Sequence, residues 1–189
     1  MTDQKDITSS NSALEQAASE PAEHGSKTLL LVRHAKSDWG DSSTKDFDRP
    51  LTERGKNDAP KMAHRLLDKN ISVDALVSSP ARRAKKTARL FAEVFKISEE
   101  EIIYKPELYL PGLEVFYTVA ENMNDKFNTI ALFSHNPGIT EFAYMLTPNS
   151  IPIVGIPTCG IFAVKLYSDN WKDIRESKKE FLFFDYPKA

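Results

Sequence analysis

Thr28-Leu29-Leu30-Leu31-Val32-Arg33-His34-Ala35 is the stretch whose reading decides the fold. A short unbroken apolar run fits a strand buried on both faces, since a face open to water would interpose polar residues at every second position. Arg33 and His34 then stand at the carboxyl end of that strand. Upstream, residues 1–27 are rich in Ser, Ala, Gln and Glu, with almost nothing large and apolar. Burial there cannot offset the entropy of ordering, so the reading is a disordered tail, with short helical turns around Ala13–Ser19, followed by one domain over residues 28–189.

Downstream the pattern repeats. Val73 to Ser78 reads as a second strand and Asn128–Phe133 as a third, each passing into polar residues. Between them lie helical periodicities. A segment from about Thr52 to Lys69 carries an apolar stripe of Met62, Ala63, Leu66 and Leu67, with Thr52 as its cap. Pro60 is expected to kink that helix or to mark a restart after Asp58. Ala84, Ala88, Phe91, Ala92 and Phe95 define a second helix over Ala81–Phe95. A short strand is expected at Glu101–Tyr104, a helix at Leu113–Met123, and another helix opening at Pro137 and running through Met145. Late strands at Gly160–Leu166 and Phe181–Phe184 complete the series. Strands and helices in alternation predict a three-layer α/β/α sandwich around a mostly parallel central sheet.

Composition narrows the partners. With 189 residues, 41% hydrophobic and 28% charged, the chain has the length and balance of one soluble globular domain. A net charge of −2 supplies no global attraction for nucleic acid or an acidic membrane, so any anion site must be local. No apolar run approaches the roughly 20 residues of a spanning helix. Residues 1–27 lack both an apolar signal core and arginine, and carry Asp3, Asp6, Glu15, Glu20 and Glu23. With the single Cys159, which rules out an internal disulfide, the default compartment is the cytoplasm. Metal binding is not expected: there is no cysteine pair and no His-Glu-x-x-His, and His24, His34, His64 and His135 are scattered, His64 reading as a surface residue. No cofactor is implied either.

Ligands of open α/β sheets gather beyond the carboxyl ends of the strands. The first strand ends in Arg33-His34, the second in Ser78-Ser79-Pro80 ahead of Arg82 and Arg83, and the third in Ser134-His135-Asn136. If those strands are neighbours, two histidines and two sources of arginine converge on one crevice. The Ser-His pair lacks the Gly-x-Ser-x-Gly elbow of a hydrolase triad, and most of the Arg-Arg-Ala-Lys-Lys run reads as a solvated face. Taken together, the three strand ends describe an anion site.

These residues carry a resemblance to the histidine phosphatase superfamily, which includes the phosphoglycerate mutases. Leu31-Val32-Arg33-His34-Ala35 resembles its Arg-His-Gly signature, with Ala35 in the glycine position, which requires that φ there not be positive. Arg49-Pro50-Leu51-Thr52-Glu53-Arg54-Gly55 resembles its Pro-Leu-Thr-x-x-Gly segment. Ser79-Pro80-Ala81-Arg82-Arg83-Ala84-Lys85-Lys86-Thr87 is similar to its Ser-Pro-x-x-Arg-Ala-x-x-Thr motif, which sets the family arginine at Arg83, not Arg82. Ser134-His135-Asn136-Pro137-Gly138 and the Pro157-Thr158-Cys159-Gly160 turn resemble the SixA-type branch.

The resemblance implies that neutral His34 attacks phosphorus, that Arg33, Arg83 and His135 cradle the phosphoryl group, and that Arg49 and Asn136 assist in binding substrate. Larger members carry an acidic proton donor after the third strand, where this chain reads Pro106-Glu107-Leu108-Tyr109-Leu110-Pro111-Gly112. Glu107 and Glu114 are the nearest carboxylates. Without a clear donor, the implied substrate is a phosphohistidine on a partner protein, because a protonated imidazole leaves readily as the neutral ring. The alternatives are a broad phosphomonoesterase on small phosphate esters, with Glu107 or Glu114 as acid, and a phosphoprotein-binding module without turnover. Neither nucleic acid nor membrane is an expected partner.

Overall fold

Leu29, Leu30, Leu31 and Val32 have no solvent-exposed surface, so their strand has helices on both sides. The computed structural model describes residues 25–40, 43–148 and 154–189. Residues 1–24, which hold most of the expected tail and His24, lie outside the described residues. Strand β1 (Lys27–Arg33) begins on Lys27, whose ammonium donates to the Asp125 carbonyl and to Asn128 Oδ1.

The remaining elements are α1 (Glu53–Asp68), β2 (Ala75–Ser78), α2 (Arg82–Phe95), β3 (Ile103–Tyr104), α3 (Leu113–Glu121), β4 (Thr129–Ser134), α4 (Gly138–Leu146), β5 (Ile161–Leu166) and β6 (Lys179–Asp185). The sheet order is β3-β2-β4-β1-β5-β6. Pairings among β3, β2, β4 and β1 are parallel, whereas β5 runs against both β1 and β6. The sheet is therefore mostly parallel, as expected. The strand residues divide by parity. Leu30, Val32, Leu76, Ala131 and Phe133 pack with Met62, Ala63, Leu66, Ala88 and Phe91 of α1 and α2. Leu29, Leu31, Val77, Ile130 and Leu132 pack with Phe116, Ala120, Ile139 and Phe142 of α3 and α4. Each large apolar side chain so buried contributes about 1.5–3 kcal/mol.

Three local expectations are corrected. Helix α1 runs on through Pro60, so there is no restart after Asp58. The carbonyl that Pro60 leaves without an N–H partner belongs to exposed Lys56, where water can satisfy it. Leu67 is 40% exposed and stands outside the apolar stripe, because Ala59, Met62, Ala63 and Leu66 already fill the i, i+3, i+4, i+7 face. The expected strand at Glu101–Tyr104 shortens to Ile103–Tyr104 because a 3-10 turn, capped by Ser98, occupies Glu99–Glu101.

The loop after β1 is tied to the start of α1. Thr52 caps that helix by accepting from the Gly55 N–H, and its own N–H donates to the Lys36 carbonyl. A Cβ on Gly55 would stand 2.2 Å from that carbonyl oxygen, which gives the Pro-Leu-Thr-x-x-Gly segment a steric reason for its glycine. Gly55→Ala should lower stability by about 1–3 kcal/mol, since the clash is with backbone and exceeds the roughly 1 kcal/mol of helix propensity that alanine brings. Gly112→Ala, which meets nothing within 4 Å, should be near neutral. Denaturant unfolding of both variants checks this; equal stabilities would refute the steric role.

Candidate active site

Because β2, β4 and β1 are adjacent, the three polar strand ends meet. Register places Arg33 beside Ser134, and Ser78 beside Phe133, so the following residues emerge at one level. His34 follows β1, Ser79 follows β2 and His135 follows β4. The His34 and His135 rings lie with centroids 5.1 Å apart. Helix α2 starts two residues beyond Pro80 and directs Arg83 into the crevice, where only 2% of it is exposed, while Arg82 faces solvent.

The hydrogen bonds on His34 define its tautomer. Nδ1 lies 2.8 Å from the Ala35 carbonyl, which only accepts, so Nδ1 carries the proton. Nε2 lies 3.1 Å from Arg83 Nε, which only donates, so Nε2 presents its lone pair. Burial lowers the His34 pKa to about 3; the Ala35 hydrogen bond opposes this, and the charges of Arg83, Arg33 and Arg49 reinforce it. Ala35 is absent from the positive-φ residues, so alanine fits the glycine position without strain. Its N–H donates to Thr87 Oγ1 on α2, which fixes the turn against the helix. The Pro157–Gly160 turn closes the other side, as the Cys159 N–H reaches both the Arg33 and His34 carbonyls.

His135 is 1% exposed, and its Nε2 is 2.9 Å from Ser79 Oγ. Burial, then the neighbouring His34 and Arg83, lower its pKa to about 3. Among the described residues its buried Nδ1 has no hydrogen-bond partner, and neither has the buried Nε of Arg33. Arg33 donates through NH1 to the Ile156 carbonyl, and burial followed by the Arg83 charge lowers its pKa. Unpaired polar atoms in a buried basic pocket suit an anionic ligand.

Two residues outside the sequence expectation complete the site. Asp46, in a short 3-10 turn over Asp46–Asp48, accepts from Arg83 NH2 at 3.0 Å, Arg49 Nε at 2.9 Å and the Tyr109 hydroxyl at 2.7 Å. Burial pushes its pKa up, but the Tyr109 hydrogen bond and the Arg83 and Arg49 interactions outweigh this and hold it at about 2. Tyr109 also packs edge-on to His135, with centroids 5.6 Å apart. Nothing in the sequence between β1 and α1 singles out Asp46 from the other acids there.

The other expected residues have more limited places. Arg49 is buried and clamps its own loop through Asp46 and Ser37, with its guanidinium over the Trp39 ring. It adds charge to the pocket rather than a free fork of donors. The Asn136 amide donates to the Ile156 carbonyl and accepts from Thr140 Oγ1, so both ends of that side chain hold the site wall. Glu107 is exposed, and Glu114 pairs with Arg175 at 2.8 Å. Asp46 is thus the carboxylate bonded to the site arginine. The described residues include no group of three or more His, Cys, Asp or Glu side chains able to hold a metal ion, and no helix long and apolar enough to cross a membrane.

The chain is similar to known proteins. Residues 29–109 match the model of the histidine phosphatase superfamily (branch 1). An uncharacterised chloroplastic protein of Arabidopsis thaliana is 30% identical over 169 residues, covering 85% of this chain and 76% of that protein. The mitochondrial serine/threonine-protein phosphatase Pgam5 of Drosophila melanogaster is 33% identical over 94 residues, which cover 49% of this chain and 30% of Pgam5. The fold is similar to a crystal structure assigned as a phosphohistidine phosphatase SixA from Agrobacterium tumefaciens. That likeness has a TM-score of 0.71 at 24% identity and covers 85% of this chain and 99% of the other.

The two lowered histidine pKa values set a pH dependence. Unfolded histidines bind protons near pH 6.5, whereas the folded His34 and His135 do so only near pH 3. Between these values the unfolded chain holds more protons, so their contribution to stability is complete above about pH 6.5 and declines as pH falls toward about 3. Ring NMR at about pH 5 should find both imidazoles neutral, with the proton of His34 on Nδ1. Titration of either ring near pH 6.5 would refute this.

Proposed function

We propose that this chain, which belongs to the histidine phosphatase superfamily, removes the phosphoryl group from phosphohistidine on a partner protein through a covalent intermediate on His34. Membership supports phosphatase activity. The observation that carries the mechanism is the His34 imidazole: neutral, proton on Nδ1, with the Nε2 lone pair turned toward the guanidinium of Arg83.

In the first step His34 Nε2 attacks phosphorus, and the bond from phosphorus to the substrate's ring nitrogen breaks. The substrate imidazole, protonated on its other nitrogen, leaves as the neutral ring. In the second step water attacks the phosphoryl group on His34, releases inorganic phosphate and restores the neutral nucleophile. All three nitrogens of Arg83 are engaged: Nε on His34, Nη1 on the Asp46 carbonyl and Nη2 on the Asp46 carboxylate. An entering phosphoryl group takes over donors from His34 and Asp46, which frees the Nε2 lone pair for attack. Arg33, Arg49 and Arg83 set against Asp46 leave about two positive charges, matched to a phosphoryl dianion. Arg33 Nε and His135 Nδ1 supply the unpaired polar atoms of the cradle.

The state of the acids favours phosphohistidine over an alcohol ester. An alkoxide leaves well only with a positioned proton donor. Asp46 is held ionised, Glu114 is paired with Arg175, and Glu107 faces solvent. The name of the Agrobacterium structure agrees with this choice, while that of Pgam5 points to phosphoserine and phosphothreonine and makes these the comparison that matters.

Phosphate release from a phosphohistidine peptide should exceed that from a phosphoserine peptide of the same sequence at least tenfold in kcat/KM; equal or better turnover of the phosphoserine peptide overturns the substrate assignment. His34→Ala should abolish both turnover and the acid-labile phosphoenzyme, and Arg83→Ala should cost roughly 100-fold or more in rate. A His34→Ala protein that still turned over would remove His34 from the nucleophile role.

A further inference from the structure

Arg82, Lys85, Lys86 and Arg89 recur at i, i+3, i+4 and i+7, so they share one face of α2, and that face begins beside Arg83. Over seven residues the stripe extends about 10 Å away from the site. Lys56 of α1 stands across from it, and Pro50 and Leu51 complete a groove of about 450 Å³ that five bases and no acid line. A smaller recess shares Pro50 and Arg82 with this groove and adds Asp38 and Arg49. Arg49 in turn meets Asp46, the partner of Arg83, so a row of charged contacts joins groove to crevice.

The chain as a whole is slightly acidic, so this concentration of positive charge is local. Arg82 and Lys85 form no ion pair among the described residues; Arg82 donates to the Asp48 carbonyl and Lys85 lies over the Tyr104 ring. Lys56, Lys86 and Arg89 pair with Glu53, Glu93 and Glu99, whose side chains are all more than half exposed. Such surface pairs are worth at most about 1 kcal/mol and exchange readily for other anions.

We propose that this groove docks an acidic segment of the protein whose phosphorylated residue enters the crevice, an inference that rests on the phosphoprotein reading above. About 10 Å accommodates roughly three residues of extended chain. The recognised Asp and Glu residues therefore fall within a few positions of the phosphorylated one. Among the described residues no aromatic side chain lines the groove, so these supply none of the stacking surfaces that single-stranded nucleic acid uses.

Two phosphohistidine peptides test this, one with three Asp or Glu residues on one side and one with Asn or Gln there. At low salt, kcat/KM for the acidic peptide should exceed that for the neutral one by about tenfold, and high salt should close the gap. The triple variant Lys56→Gln, Lys85→Gln, Lys86→Gln should lose the gap while hydrolysing the neutral peptide at the native rate. No gap in the native protein, or a gap that survives in the variant, overturns the proposal. Binding of the unphosphorylated acidic peptide, followed by fluorescence anisotropy, separates this inference from its premise. If neither phosphohistidine peptide is hydrolysed, the substrate reading fails. The groove assignment then stands only if the native protein binds the acidic peptide and the triple variant does not.

Discussion

A neutral imidazole among three guanidinium groups is the constraint on which the rest of the site depends. Burial is the first cause that keeps His34 from taking up a proton, and the positive charge that a phosphoryl group requires adds to it. Under the proposed mechanism one set of residues would both bind the anion and preserve the nucleophile. Such a cluster of like charges is costly to assemble. Asp46 answers this by bonding to both Arg83 and Arg49, which restrains their repulsion and orients the Arg83 fork.

The fold delivers this arrangement because a parallel sheet aligns the ends of neighbouring strands. Strand β4, between β2 and β1, lets three separated segments contribute Ser79, His34 and His135 to one rim. Burial on both faces makes those strands rigid, and the site residues follow immediately, before the chain can wander. The antiparallel β5 has a separate use: the turn that precedes it supplies Cys159, whose backbone N–H holds the Arg33 and His34 carbonyls. Its φ of 60° places Cys159 in the left-handed region, a strained conformation that the two hydrogen bonds compensate.

The central strands and the helices were legible because their signals are local: apolar runs for the strands, 3.6-residue periodicity for the helices. Arg83 could be told from Arg82 by motif spacing, and the structure gives the reason, since one step along α2 turns a side chain from solvent into the crevice. Asp46 was illegible. Its partners Arg83 and Tyr109 are 37 and 63 residues away, and nothing in the surrounding Lys-Asp-Phe-Asp distinguishes it from any acidic loop residue. Asn136 was legible as part of a motif but not in its bonding, which ties it to Ile156 and Thr140. The restart after Asp58 does not occur because the cost of a proline in a helix depends on what surrounds the freed carbonyl, and that is a tertiary fact.

Asp46 also bears on how the site would distinguish its resting and loaded states under the proposed mechanism. The Asp46 carboxylate takes one Arg83 nitrogen and its carbonyl another, while Nε covers the lone pair of His34. His34 is therefore hydrogen-bonded at the nitrogen where it is proposed to react. A phosphoryl dianion, carrying more charge than one carboxylate, competes well for those donors, whereas a neutral group does not. Uncovering Nε2 is then coupled to the arrival of the anion that it attacks. The carboxylate need not leave; Arg49 and Tyr109 hold it in place, so Arg83 has a fixed partner to return to when phosphate departs.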